Sequence, residues 1–190
     1  MAYNYRMNKS IISGIAIVLI SVGGIYFLTK GNKEVSPAPK ETTAADYKNA
    51  TYIIEGQPVT LINGHAESAA APGSASKIVT QYFGNQAVGD LNWDGVDDIG
   101  FLLSQTTGGS GTFYYAVAAI KTADGYQGTS AVLLGDRIAP QTTEIREGGL
   151  LINYAERAPG ESFAVQPSMG KSLWLLLDTK TMKFAESAKL

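Results

Sequence analysis

The segment IGFLLSQTTGGSGTFYYAVAAIKTADGYQGTSAVLL, residues 99–134, contains three runs rich in aliphatic and aromatic residues. They are Ile99 to Gln105, Thr112 to Lys121 and Gly128 to Leu134, and glycine-containing breaks separate them. Short apolar runs between such breaks are typical of β-strands. We therefore expect three consecutive antiparallel strands here.

The segments on either side of this region continue the pattern. Residues 52–62 alternate apolar and polar positions around a turn near Gly56 and Gln57, which predicts a β-hairpin. The run from Lys77 fits either a short strand or one helical turn. Further short strands are predicted at Thr142 to Arg146 and Leu150 to Tyr154 around Gly148-Gly149, and at Ser172 to Leu177 and Met182 to Ala185 around Thr179-Lys180.

This succession of short strands predicts the fold class. No long apolar stripe with the 3.6-residue helical period follows Tyr47, so the crossover helices of a parallel sheet are not expected. We predict one all-β domain over residues 47–190, built as an antiparallel sandwich or open barrel. An α+β fold is the alternative.

A different signal lies near the N-terminus. Residues 10–29 contain no charged side chain, and IISGIAIVLISVGGIYFL, residues 11–28, is long enough to cross a hydrocarbon core of roughly 30 Å as a helix. The run is longer than the usual signal-peptide core and lacks an A-x-A cleavage site, which favours an uncleaved anchor over a cleaved signal peptide. The slight excess of positive charge before it favours residues 1–9 on the cytoplasmic side. Residues 30–46, rich in Pro, Thr, Lys and Glu, are predicted to be a disordered linker.

Charge and composition exclude several function classes. The net charge is −2. From Tyr47 onward the sequence contains 14 acidic and 10 basic side chains, and the basic ones form no Lys/Arg cluster. A nucleic-acid partner is therefore not expected. The absence of cysteine excludes disulfides, thiolate metal sites and cysteine nucleophiles, and the single histidine, His65, excludes a multi-histidine zinc site.

The stretch DLNWDGVDD, residues 90–98, carries the clearest chemistry of the chain. Oxygen-bearing side chains occupy its first, third and fifth positions, a glycine its sixth and an aspartate its ninth. Calcium takes about six to eight oxygen ligands, so a short loop must turn alternate side chains inward, and glycine permits the sharp turn. The twelfth position is Phe101 rather than the bidentate Glu of an EF-hand. The spacing predicts a calcium loop of another kind, with Asp97 outside the ligand set.

With its flanks, VGDLNWDGVDDIGFLL resembles the FG-GAP calcium repeat of integrin-type β-propellers, in which D-x-[DN]-x-D-G-x-x-D joins two strands. The motif occurs once, and the chain is too short for a propeller. Longer phrases such as GSASKIVTQYFGN and INYAERAPGE resemble an uncharacterised family of anchored or secreted bacterial proteins. The resemblance to the FG-GAP repeat implies five Ca2+ ligands: Asp90, Asn92, Asp94, the carbonyl of Val96, and Asp98.

Two functions follow from these features. The first is a membrane-anchored, single-pass module outside the cytoplasm, at a bacterial cell surface or in a periplasm. It binds calcium, is not an enzyme, and contacts a protein or an envelope glycan. The alternative is a cell-envelope serine hydrolase in which Lys77 activates Ser74 or Ser76, although the companion motifs S-D-N and K-T-G are missing.

Overall fold

The computed structural model describes residues 45–188, which form antiparallel β-sheets after one short 3-10 turn at Tyr47–Asn49. The first six strands are β1 (Thr51–Ile54), β2 (Gln57–Thr60), β3 (His65–Ala69), β4 (Lys77–Gly89), β5 (Asp98–Thr106) and β6 (Phe113–Thr122). The other six are β7 (Gly125–Gly128), β8 (Val132–Asp136), β9 (Ala139–Arg146), β10 (Gly149–Glu156), β11 (Met169–Asp178) and β12 (Lys183–Ser187).

These strands form three sheets. The largest has the order β3-β4-β5-β6-β7, and β8 also pairs with β6 beyond the end of β7. A four-stranded sheet has the order β12-β11-β10-β9, and β1 and β2 form a separate hairpin. All pairings between the named strands are antiparallel, and most join neighbours in the chain.

The central strands β5 and β6 are buried on both faces, because alternate side chains enter two different cores. On one face Leu102 and Ala118 pack with Leu150 and Leu175 of the four-stranded sheet. On the other face the neighbours of these residues pack beneath the β1–β2 hairpin. This double burial explains why the sequence of both strands is almost continuously apolar.

Glycines let the two larger sheets approach closely near one end of β5. A Cβ at Gly100 would lie 2.4 Å from Leu150 Cδ1, and a Cβ at Gly89 would lie 2.8 Å from Ile145 Cγ2. Side chains at these positions would push the sheets apart. The close approach lies directly beside the loop that joins β4 to β5.

The structure confirms the all-β, antiparallel prediction for the described residues, and two sheets sharing one core are compatible with a β-sandwich. The β1–β2 hairpin, the first two central strands and the β9–β10 and β11–β12 pairs form where the sequence predicts them. The undecided run from Lys77 is the strand β4, because it lies between β3 and β5 and pairs with both.

The third central run is wrong as one strand, since residues 125–136 form two strands that both pair with β6. The interruption is at Thr129, whose hydroxyl accepts a hydrogen bond from Ala118 N at 2.9 Å and whose carbonyl accepts one from Ile53 N at 3.2 Å. Strand β1 passes so close that a Cβ at Gly128 would lie 2.2 Å from Thr51 O. Contacts with β1, which is distant in the chain, thus divide residues 125–136 into two strands.

Two tight turns lie one residue earlier than predicted. Ile54 pairs with Gln57 and Arg146 pairs with Gly149, so the turn residues are Glu55-Gly56 and Glu147-Gly148. All four turn residues have positive φ, between 48° and 79°. Two-residue turns of this kind match the right-handed twist of the strands they join.

The predicted cytoplasmic segment, the anchor at residues 10–29 and linker residues 30–44 lie outside the described residues. Among residues 45–188 there is no helix of the length and apolarity needed to span a membrane.

Candidate metal centre

The Asp90 loop, residues 90–97, connects the end of β4 to the start of β5. The last residue pair between these two strands is Gly89 with Asp98, and the loop connects these two positions. Leu91 points into the core and is 2 % exposed, while Trp93, Asp94 and Val96 are exposed. The loop is therefore held from beneath by one apolar side chain.

The carboxylate of Asp90 organises the backbone of the loop. Its Oδ1 accepts hydrogen bonds from the N–H groups of Asn92 at 3.1 Å, Trp93 at 2.6 Å and Asp94 at 3.3 Å. Its Oδ2 accepts one from Gly95 N at 2.8 Å. Partial desolvation raises the pKa of Asp90, but the four N–H donors outweigh it, so the pKa lies below its ordinary value. The first residue of the motif is held as a carboxylate at the centre of the turn.

The side chains of Asn92 and Asp94 also accept hydrogen bonds from backbone N–H groups of the loop. Asn92 Oδ1 accepts from Asp94 N at 3.0 Å, Asp94 Oδ1 accepts from Val96 N at 2.8 Å, and Asn92 Nδ2 donates to Asp94 Oδ2 at 2.9 Å. Gly95 has φ +82°, a left-handed conformation that glycine adopts without steric cost. The three side chains at positions 1, 3 and 5 are therefore all hydrogen-bonded within one loop.

Asp98 lies below the loop and is fully buried. Its Oδ2 accepts from Leu91 N at 3.0 Å inside the loop, and its Oδ1 accepts from Lys121 N at 2.8 Å at the end of β6. Burial raises the pKa of Asp98 despite these two donors, and the nearby charges of Asp94 and Asp90 raise it further. One carboxylate thus joins the loop to a neighbouring strand.

The oxygen chemistry of these residues fits a hard cation, since carboxylate, amide and carbonyl oxygens are what calcium prefers. Asp90 Oδ2 and Asp94 Oδ1 each accept a single N–H and so keep a second lone pair for a metal ion. Within residues 45–188, however, the acidic and histidine side chains do not form a ready-made group of three or more for a metal.

Trp93 occupies an unusual position in the loop. It has φ +64°, is 74 % exposed, and its indole lies over the turn between β9 and β10, where a Cβ at Gly148 would be 2.4 Å from Trp93 Nε1. The next residue, Gly149, lies under the buried indole of Trp174, and the Arg146 guanidinium is 5.4 Å from that ring. Sequence reasoning missed this contact because residues 93 and 148 are distant in the chain.

The residues of the predicted hydrolase lie far along β4 from the Asp90 loop. Lys77 Nζ forms an ion pair with Glu67 Oε1 at 2.6 Å, and both side chains are about half exposed. Ser74 Oγ accepts a hydrogen bond from Ser76 N at 3.0 Å, within a turn. The sole histidine, His65, is exposed on β3.

A second cluster lies at the opposite end of the strands. Arg157 donates to the carbonyl oxygens of Val165 at 2.6 Å and Arg137 at 2.8 Å, which fastens the segment between β10 and β11 onto the β8–β9 turn. Asp136 pairs with Arg137 at 2.7 Å, and the Arg137 guanidinium lies 3.6 Å from the ring centre of Phe163. An open cleft of about 420 Å³ adjoins these residues.

Comparison with protein-family models, with curated proteins and with solved structures finds no match for this chain. Function is therefore inferred from the geometry of the Asp90 loop.

Proposed function

We propose that this chain is a membrane-anchored, non-enzymatic extracytoplasmic module in which one calcium ion fixes the Asp90 loop. The observation that supports this most directly is the convergence of the side chains of Asp90, Asn92 and Asp94 on a single tight turn. The resemblance to an FG-GAP repeat remains part of the proposal, as does a β-sandwich architecture for the domain.

The proposed ligands are those of the motif. Asp90, Asn92 and Asp94 contribute side-chain oxygens, Val96 its carbonyl, and Asp98 the lone pairs left after its two backbone bonds. Backbone N–H groups of the loop point at Asp90 and offset part of its charge. Calcium would add attraction to all three loop carboxyl and amide groups, so its effect on the loop is to stabilise a conformation that the backbone already adopts.

The location and the metal support each other physically. A loop with three carboxylates and no bidentate Glu is expected to bind calcium with modest affinity, which suits compartments rich in calcium. The uncharged segment at residues 10–29 would hold the domain in such a compartment. The partner of the module is proposed to be a protein or an envelope glycan.

The direct test is thermal unfolding of the full chain in detergent, with millimolar calcium or with chelator. Tryptophan fluorescence monitors the unfolding. Both tryptophans, Trp93 and Trp174, lie in the described domain. Binding to the native state raises stability by RT ln(1 + [L]/Kd), about 1.4 kcal/mol at tenfold excess over Kd. Calcium should raise the unfolding temperature of the wild type and of Asp97→Ala, and should leave that of the Asp90→Ala, Asp94→Ala double variant unchanged.

Asp97→Ala is the matched control because it removes one exposed carboxylate from the same loop without removing a proposed ligand. Equal calcium responses of the control and the double variant would contradict the ligand assignment. A wild type that does not respond to calcium would contradict calcium binding itself.

The serine hydrolase stays a prediction. Its proposed base, Lys77, directs its ammonium at Glu67, and Ser74 accepts a backbone N–H, so the contacts in the structure support a surface ion pair and a turn. Labelling of the chain by a serine-reactive probe, lost in Lys77→Ala, would favour the enzyme.

A further inference from the structure

The β6–β7 turn lies at the end of the domain that carries the Asp90 loop. Strand β6 runs toward this end, since Lys121 N bonds Asp98, and β7 and β8 run back from it. Strand β1 forms a parallel bridge, Ile53 with Ser130, to the connection between β7 and β8. It therefore also runs away from the loop.

Tyr47, which precedes β1, packs on the same face of the largest sheet as β1. Its hydroxyl donates to Gln86 Oε1 at 2.8 Å, four residues before Asp90. Its ring lies 6.0 Å from that of Tyr126, which is the strand partner of Lys121. We call the end of the domain formed by the Asp90 loop, the β6–β7 turn and the β9–β10 turn the loop pole.

The loop pole exposes apolar side chains beside its carboxylates. Val88 is 53 % exposed, Trp93 74 % and Val96 47 %, so three large apolar groups within nine residues face solvent. Indole rings are favoured where the hydrocarbon of a bilayer meets its headgroups. The β6 and β9 ends add two cations to the same pole, Lys121 and Arg146.

From these observations we infer that the loop pole docks on the lipid surface that the chain's own anchor enters, with calcium bridging the Asp90 loop to lipid phosphate. This inference rests on the proposed function. Fifteen residues, 30–44, separate the predicted anchor from the described domain and span at most about 50 Å. A tether this short keeps the domain at high effective concentration near the bilayer.

The charge of the pole makes docking depend on calcium. Asp90, Asp94 and Asp97 are repelled by anionic headgroups in the absence of the ion, and a bound divalent cation offsets this repulsion. The loop offers about five of the six to eight oxygens that calcium takes, which leaves coordination positions for phosphate oxygens. With calcium in place, Trp93 and Val96 enter the interface; without it, they return to water.

The test uses the full chain in bilayer nanodiscs of phosphatidylglycerol and phosphatidylcholine, with brominated acyl chains as the quencher of tryptophan fluorescence. Trp174→Phe leaves Trp93 as the sole tryptophan. Calcium should shift its emission to the blue and reduce its intensity in brominated nanodiscs, and chelator should reverse both changes. Discs of phosphatidylcholine alone should show a smaller loss.

The matched control places the reporter at the opposite end of the domain. Phe163 is 55 % exposed beside Arg137, so Phe163→Trp combined with Trp93→Phe and Trp174→Phe reports on that end. Its emission should not respond to calcium. Thermal unfolding of each variant establishes that it is folded before the lipid measurement.

Calcium binding to the same nanodisc samples is measured in parallel by calorimetry. If calcium binds and Trp93 stays unquenched, or if quenching is equal in chelator, the docking inference is overturned and the calcium module stands. If calcium does not bind, the proposed function fails and the inference fails with it. Equal quenching of the Phe163→Trp reporter also overturns the inference, since it shows contact without a preferred face.

Discussion

Replacement of Asp98 by Ala should destabilise the domain even when no calcium is present. The carboxylate is fully buried and accepts one N–H from Leu91 and one from Lys121, and alanine leaves both donors without this partner. A buried donor that loses its acceptor costs about 1–3 kcal/mol. Leu91 is buried and Lys121 only partly so, which lets water replace some of the second bond. The free energy of unfolding should therefore fall by roughly 2–4 kcal/mol.

The assay is equilibrium unfolding of the full chain in urea with chelator present, followed by tryptophan fluorescence. Asp98→Asn should lose about half as much stability as Asp98→Ala, because its amide keeps one acceptor oxygen. The exposed neighbour provides the control, and Asp97→Ala should stay within about 0.5 kcal/mol of the wild type. If Asp98→Ala also stays within about 0.5 kcal/mol, the two hydrogen bonds do not anchor the loop and the reasoning is refuted.

Two further predictions concern the turn under Trp93 and the acid side of the stability curve. Gly148→Ala should destabilise the domain by about 1 kcal/mol more than Gly56→Ala, because both glycines have positive φ in matching turns but only Gly148 lies under the indole of Trp93. Urea unfolding measures the difference. Equal losses of stability would show that the contact between Trp93 and Gly148 is unimportant. The side-chain hydrogen bond from Arg137 lowers the pKa of Asp136 below its ordinary value of 3.8, so its contribution to stability is present above that pH and is lost as the pH falls through the lowered pKa. Asp136→Asn should therefore flatten the decrease in unfolding temperature on acidification below about pH 4, and an unchanged acid profile would contradict the pairing.

Local sequence was sufficient for most of the strands and for the position of the loop. The central strands β5 and β6 are apolar over their length, and the β1–β2 and β9–β10 turns carry glycine where the backbone needs positive φ. These signals are read within a few residues, so no knowledge of distant contacts is required. The same holds for positions 1, 3, 5 and 6 of the Asp90 loop, whose hydrogen bonds join residues at most five apart.

Tertiary structure decided the features that depend on distant neighbours. The division of residues 125–136 into β7 and β8 follows from the bonds of Thr129 with Ala118 and Ile53. The strand at Lys77 follows from its two pairing partners, since its own residues suit a helical turn as well.

The candidate site shows the same distinction. The sequence alone assigned Asp98 to the loop by its spacing, but its second bond, to Lys121 N, crosses 23 positions of the chain. The contact of Trp93 with Gly148 arises only when strands far apart in sequence are packed together. Spacing along the chain determined which side-chain oxygens lie in the Asp90 loop. Packing between strands determined the contact of Asp98 with Lys121 and that of Trp93 with Gly148.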